Sequence, residues 1–136
     1  MAGGMATRFG GGAKACARLV DDREDSFLSW SCREVVRLET EHAARIPWVV
    51  MTSFATDAAI RARLESTDWF GLAATRRHHF AQSILPRVEP NGRALYLDHP
   101  AWPDTRTCCA PGHGDTLGRL RDSGVLQKLR DAGVDQ

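Results

Sequence analysis

The sequence predicts an α/β fold, a mixed and mostly parallel sheet flanked by helices with a small hairpin inserted, and three observations carry that expectation. Helical periodicity alternates with compact apolar runs along the chain, the pattern of sheets whose crossovers are helices. Trp48-Val-Val-Met51 is apolar without alternation, which suits a parallel strand covered on both faces. Asn91-Gly92 is a two-residue turn signal between Pro90 and the apolar Ala94-Leu-Tyr-Leu97, and it marks the hairpin.

With 136 residues and 15.0 kDa, the chain has the length of one domain and can bury a core. A net charge of +1 argues against a broad surface for a nucleic acid polymer but leaves room for a local phosphate pocket. No apolar run reaches the length of a membrane span, and the first residues lack the order of a signal peptide. Cys16, Cys32, Cys108 and Cys109 have no metal-type spacing, and the adjacent pair is a poor disulfide candidate. Free thiols in a reducing cytoplasm are the expectation. The histidines are scattered, with His78 and His79 adjacent, so no zinc site is expected.

Met1 to Lys14 is glycine-dense, with Arg8 inside and Lys14 closing it. Such a backbone can approach a ligand closely and turn successive N–H groups toward an anion, while the two cations add charge. The same composition also describes a disordered terminus, and the loop alone does not separate the two. Lys14 to Val20 is expected to be a short strand, followed by a charged turn at Asp21 to Asp25. Ser26 caps a helix from Phe27 to about His42, with Leu28, Cys32, Val35, Val36 and Leu38 near helical spacing. Pro47 precedes the strand at Trp48. Thr56 or Asp57 caps a second helix to about Ser66, with Ile60 and Leu64 inward.

Asp68 to Arg77 reads as loop, and His79 to Val88 contains an extended piece that Pro86 confines to an edge or an end. After a loop around Trp102, Gly112-His-Gly-Asp115 leads into helical sequence whose apolar positions are Leu117, Leu120, Val125, Leu126 and Leu129. Gly124 and Gly133 are read as helix stops. Asp57 and Asp115 are assigned mainly to helix starts, His78-His79 to loop surface, and Trp48 and Trp69 to the core or its edge. Ser53, His113 and Asp115 could compose a triad, but no nucleophile-elbow sequence supports one. Ligands of such sheets bind beyond the carboxyl ends of the strands. The glycine loop and the Gly112 to Asp115 turn are the candidates for that rim. A phosphate loop should follow a strand, yet only Met1 precedes Ala2, and Gln136 follows a helix stop. Both ends are therefore expected to cut through the fold.

Four segments carry a family resemblance. Ala2-Gly-Gly-Met-Ala-Thr-Arg-Phe-Gly with Lys14 is similar to the nucleotide loop of sugar-phosphate nucleotidyltransferases. Val50-Met-Thr-Ser-Phe-Ala-Thr-Asp57, Phe80-Ala-Gln82 with Pro86-Arg87, and Ala110-Pro-Gly-His-Gly-Asp115 with Ser123-Gly124 resemble, in order, segments of the eukaryotic-type UTP–glucose-1-phosphate uridylyltransferases. The resemblance implies a Rossmann-like, GT-A-like domain, present as its amino-terminal part over residues 1–136, with the nucleotide-binding loop at 2–14. It implies transfer of UMP from UTP to glucose 1-phosphate, releasing pyrophosphate.

By the same resemblance, Ala2, Gly3 and Gly4 lie against the nucleotide, Arg8 neutralises the departing pyrophosphate, and Lys14 contacts phosphates near the reacting centre. Gln82 hydrogen-bonds the uracil, Gly112 packs on the nucleotide, and His113 contacts the sugar phosphate. Magnesium is the implied cofactor, with its aspartate in an Asn-x-Asp-Asn segment beyond Gln136, so the isolated chain is expected to be inactive. Ala6 and Ala13 depart from the glycine and proline common in relatives. Gly112-His-Gly-Asp115 favours the glucose branch over the Gly-Asn-Gly-Gly of UDP-N-acetylhexosamine enzymes. Two alternatives stand beside this reading: a uridine-nucleotide-binding module without catalysis, and a UDP-N-acetylhexosamine pyrophosphorylase-type transferase. A dinucleotide-binding dehydrogenase is disfavoured, because no clear ribose-binding acid follows the loop.

Overall fold

A computed structural model of the chain describes residues 2–5, 11–19, 25–95 and 103–134. Helix α1 spans Phe27–His42 and begins as expected at Ser26. Ser29 N–H donates to Ser26 Oγ (3.2 Å), and Ser26 N–H donates to Ser29 Oγ (2.9 Å), so a reciprocal box satisfies two otherwise free donors. Ala43, in the left-handed region at φ 50°, closes the helix with its N–H on Glu39 O. Leu28 and Cys32 are buried, Val35 and Leu38 half-buried, and Val36 is exposed.

Strand β1 (Trp48–Thr52) pairs in parallel with β2 (Arg77–Ala81), placing Trp48 opposite Arg77 and Thr52 opposite Ala81. The edges of β1 can be assigned from two bonds. Gln82 N–H donates to Thr52 O (3.0 Å), so Trp48, Val50 and Thr52 present their backbone groups to β2. Ala2 N–H donates to Met51 O (2.7 Å), so Val49 and Met51 present theirs to the opposite edge. Side chains of successive residues point to opposite faces. Val50 enters a cluster with Ala2, Leu28, Ile60 and Leu64, while Met51 enters one with Phe80, Val125 and Leu129. Both faces of β1 are covered, which is why its apolar run does not alternate.

Helix α2 (Asp57–Ser66) buries Ile60 and Leu64 as expected. Trp48 meets Trp69 edge to face at 6.0 Å and 84°, at the rim of that cluster. Strands β3 (Leu85–Pro86) and β4 (Cys108–Cys109) form a short antiparallel pair, so Pro86 does sit in a two-residue strand. The hairpin is present over 88–94: Val88 bridges Ala94, Glu89 N–H reaches Arg93 O, and Gly92 has φ 83°. Leu97 and Trp102 fall outside the described residues. Helices α3 (Thr116–Asp122) and α4 (Val125–Asp131) are separated at Gly124, φ 76°, and Gly133 follows α4 with φ 81°. Among the described residues, no helix is long and apolar enough to cross a membrane. All four cysteines are free.

Several expectations are corrected. Lys14 to Val20 is not a strand: Lys14–Cys16 is a 3₁₀ turn, because Cys16 N–H and Ala17 N–H bond back to Ala13 O and Lys14 O. Only Arg18 retains a bridge, to Ser26, and Val20 is not described. Asp68 to Arg77 holds the 3₁₀ turns Asp68–Gly71 and Ala74–Arg76 and then enters β2 at Arg77. His78 and His79 lie in β2 rather than on a loop. Leu117 is 79% exposed, since the break at Gly124 interrupts the helical line and Leu120, Val125 and Leu129 cover the sheet instead.

Candidate functional site

The glycine loop crosses the carboxyl end of β1. Ala2, only 8% exposed, is hung on Met51 O, and Gly3 passes so close that a Cβ there would stand 3.2 Å from Gln82 Nε2 and 3.3 Å from the Thr52 carbonyl carbon. Glycine at position 3 suits this close approach, because a Cβ would have to displace its neighbours by a few tenths of an ångström. Ser53 Oγ donates to Gly3 O (2.9 Å), fixing that peptide. The loop then returns on itself: Met5 bridges Ala13, and Lys14 N–H donates to Gly4 O (3.0 Å). Arg8 and Ala6 lie outside the described residues.

Beside the loop opens a cleft of about 510 Å³. Gly4, Lys14, Ser31 and His113 form its polar margin, and Leu28, Trp48, Val49 and Val50 its apolar floor; Ala2, Ala15 and Phe27 complete the wall. Lys14 and His113, far apart in sequence, thus share one concavity, which runs along the amino-terminal half of β1 at Trp48, Val49 and Val50. Gln82 is 7% exposed and borders Gly3 rather than the cleft itself. Gly112 lies outside the lining but sets the approach of His113. Its φ of 88° and ψ of −158° belong to glycine alone.

The expected helix-start carboxylates do other work. Neither α2 nor α3 has a side-chain cap bond. Asp57 Oδ1 accepts from Thr52 Oγ1 (2.5 Å) and lies 2.7 Å from His79 Nε2, which carries the proton because a carboxylate only accepts. The free N–H groups of Thr56 and Asp57 go to Ser53 O instead. Asp115 Oδ2 accepts Ser83 N–H at 2.6 Å, and its Oδ1 accepts Ser83 Oγ–H at 3.2 Å. Ser53, His113 and Asp115 do not form a triad: the Ser53 hydroxyl is committed to Gly3 and Thr56, and Asp115 to Ser83. Sequence reasoning missed Ser53, Ser83 and Arg119 as supports of the rim. Only the Ser53-Phe-Ala-Thr56 spacing carried a local signal for one of them.

Charge at the site is cationic. Among the described residues, no three of His, Cys, Asp and Glu converge as a metal site, and the cleft lining contains no carboxylate. The residues present do not fit a resident magnesium ion. Behind the rim, burial lowers the pKa of His78 from its ordinary 6.5, and the ammonium of Lys128 lowers it further.

A family profile described as UTP–glucose-1-phosphate uridylyltransferase matches residues 1–136. A probable UDP-N-acetylglucosamine pyrophosphorylase of Schizosaccharomyces pombe is 27% identical, across 98% of this chain and 30% of its own length. A probable UTP–glucose-1-phosphate uridylyltransferase of the same organism is 30% identical, across 98% of this chain and 25% of its own. Among solved structures, a mutant UDP-glucose pyrophosphorylase of Leishmania major in complex with UDP-glucose superposes with a TM-score of 0.77 at 25% identity, covering 98% of this chain and 27% of that one. The chain spans about a quarter to a third of the length of these proteins.

Proposed function

The chain belongs to the UTP–glucose-1-phosphate uridylyltransferase family, a family of nucleotidyltransferases, and from that premise we propose that its glycine loop and cleft bind the uridine nucleotide of that reaction. The observation that carries this reading is the meeting of the Gly4–Lys14 loop closure and His113 in one cleft beside β1. The backbone of Ala2, Gly3 and Gly4 takes base and phosphate, Lys14 the phosphates near the reacting centre, and Arg8 the pyrophosphate. Gln82 reads uracil, Gly112 packs on the nucleotide, and His113 faces the sugar phosphate.

In the reaction, a phosphate oxygen of glucose 1-phosphate attacks the α-phosphorus of UTP. The bond to the bridging oxygen of the β-phosphate breaks, and pyrophosphate leaves with that electron pair. The nucleophile is already ionised near neutral pH, so the chain's task is positioning and charge neutralisation. Lys14 and Arg8 supply the charge, and no general base is required. Glucose 1-phosphate is favoured by Gly112-His-Gly-Asp115, whereas the resemblance to an N-acetylglucosamine enzyme favours an N-acetylhexosamine 1-phosphate. The described lining of the cleft contains no carboxylate to hold a metal ion, which supports a reading in which the chain binds nucleotide without turnover of its own.

Calorimetric titration with UTP tests the reading. Lys14→Ala is expected to weaken UTP binding by about tenfold or more, the loss of one charge-assisted phosphate contact. Equal affinity in the variant would remove Lys14 from the site. Titration of the UTP-loaded chain with the two sugar phosphates decides between the branches. Pyrophosphate release with UTP and glucose 1-phosphate would overturn the binding-only part.

A further inference from the structure

We propose that Asp115 and Arg119 are positioning residues for base selectivity, acting through the backbone on either side of Gln82; this rests on Gln82 as the uracil contact. Strand β2 ends at Ala81, so Gln82 to Ile84 leave the ladder and their backbone groups need other partners. Arg119 Nε donates to Ala81 O at 3.1 Å. Asp115 accepts both the Ser83 N–H (2.6 Å) and the Ser83 hydroxyl (3.2 Å). Gln82 N–H is held by Thr52 O at 3.0 Å. The residue is thus tied before, at and after its own position, and two of the ties come from the segment that also carries His113.

Asp115 has no competing role at the start of α3, which lacks a side-chain cap. Its two oxygens serve two donors on one residue, a task that an amide, with one acceptor oxygen, cannot duplicate. On the opposite side, Gln82 Nε2 lies where a Cβ on Gly3 would stand 3.2 Å away, so the glycine leaves room for the amide beside the loop. A readout by a buried amide depends on placement to within about half an ångström, because discrimination comes from leaving the wrong base's groups unpaired. Releasing Ser83 frees the peptide that aims Gln82, without removing any group that touches nucleotide.

The test uses the full chain and compares UTP with CTP by calorimetry, with pyrophosphate as a probe of the phosphate subsite. Asp115→Asn is expected to reduce the UTP-to-CTP affinity ratio about tenfold while pyrophosphate affinity and circular dichroism stay unchanged. Ser83→Ala, which keeps the N–H bond, is expected to reduce the ratio by about threefold and serves if Asp115→Asn does not fold. Amide exchange at Ser83 is expected to accelerate in Asp115→Asn. A folded Asp115→Asn with an unchanged ratio, in a chain where Gln82→Ala abolishes the preference, overturns this proposal alone. A wild-type chain indifferent to the base, or one whose preference survives Gln82→Ala, overturns the Gln82 reading and this proposal with it.

Discussion

Two neighbouring glycines of the loop carry opposite steric demands. A Cβ on Gly3 would crowd Gln82 Nε2, the Thr52 carbonyl carbon and Ser53 Cβ at 3.2, 3.3 and 3.4 Å, whereas a Cβ on Gly4 would meet nothing within 4 Å. Two of the three crowding atoms belong to β1 and its immediate continuation, which cannot yield without disturbing the ladder. Gly3→Ala is therefore expected to cost about 1–3 kcal/mol of stability, typical of overpacking, while Gly4→Ala stays near neutral. Urea unfolding of the two variants checks this, and equal midpoints would refute the crowding argument. Both residues look alike in the sequence. Only the depth at which each passes Thr52 separates them, and that depth is set by the Ala2–Met51 and Ser53–Gly3 bonds, which join residues about fifty apart. The same limit hid Asp57 and Asp115. A capping carboxylate is a local pattern, but Asp57 is shared between Thr52 and a histidine 22 residues away, and Asp115 goes to a serine 32 residues away.

At the scale of elements, α1 was legible because both its ends are local: a serine box opens it and a left-handed alanine closes it after a charged last turn. Its burial pattern was less so. Glu39 is 9% exposed, where a solvated residue would be expected. Burial pushes its carboxyl up, but the Ile46 N–H at 2.8 Å and the Arg76 guanidinium outweigh that and hold it below its ordinary 4.5. These bonds fasten the end of α1 to the segment entering β1 and to the turn entering β2.

β2 carries the opposite case in His78, whose lowered pKa means that the folded chain prefers the neutral ring. That preference stabilises fully above pH 6.5 and is lost as pH falls through the lower folded value. Urea unfolding at pH 7.5 and 5.5 is expected to show a smaller acid-induced loss in His78→Gln than in the parent. An identical loss in both would show that burial against α4 does not govern the ring.

At the scale of the molecule, β1 joins the two core clusters: Val50 packs toward α1 and α2, Met51 toward β2 and α4, and its carboxyl end carries Ala2 and, through Gln82, the candidate base contact. The unalternated run at Trp48 revealed the two-sided burial. The two clusters could not be assigned from it, because a parallel strand shows no difference between its faces. Met51 is 2% exposed, and its Sδ lies 3.5 Å from Thr116 Oγ1, whose proton goes to His113 O at 2.7 Å, so it packs the sheet against the turn that presents His113. Truncation to alanine would open a cavity among Phe80, Val125 and Leu129 that these helices can only partly close. Met51→Ala is expected to cost about 2–5 kcal/mol, a large share of the roughly 5–15 kcal/mol typical of a domain. Because the same side chain braces the His113 turn, UTP affinity should fall before the chain unfolds. Parallel measurement of the urea midpoint and of UTP binding below the transition tests both parts: a loss under about 1 kcal/mol would show a cluster that re-closes, and unchanged UTP affinity in a destabilised variant would show that the His113 turn is held without Met51.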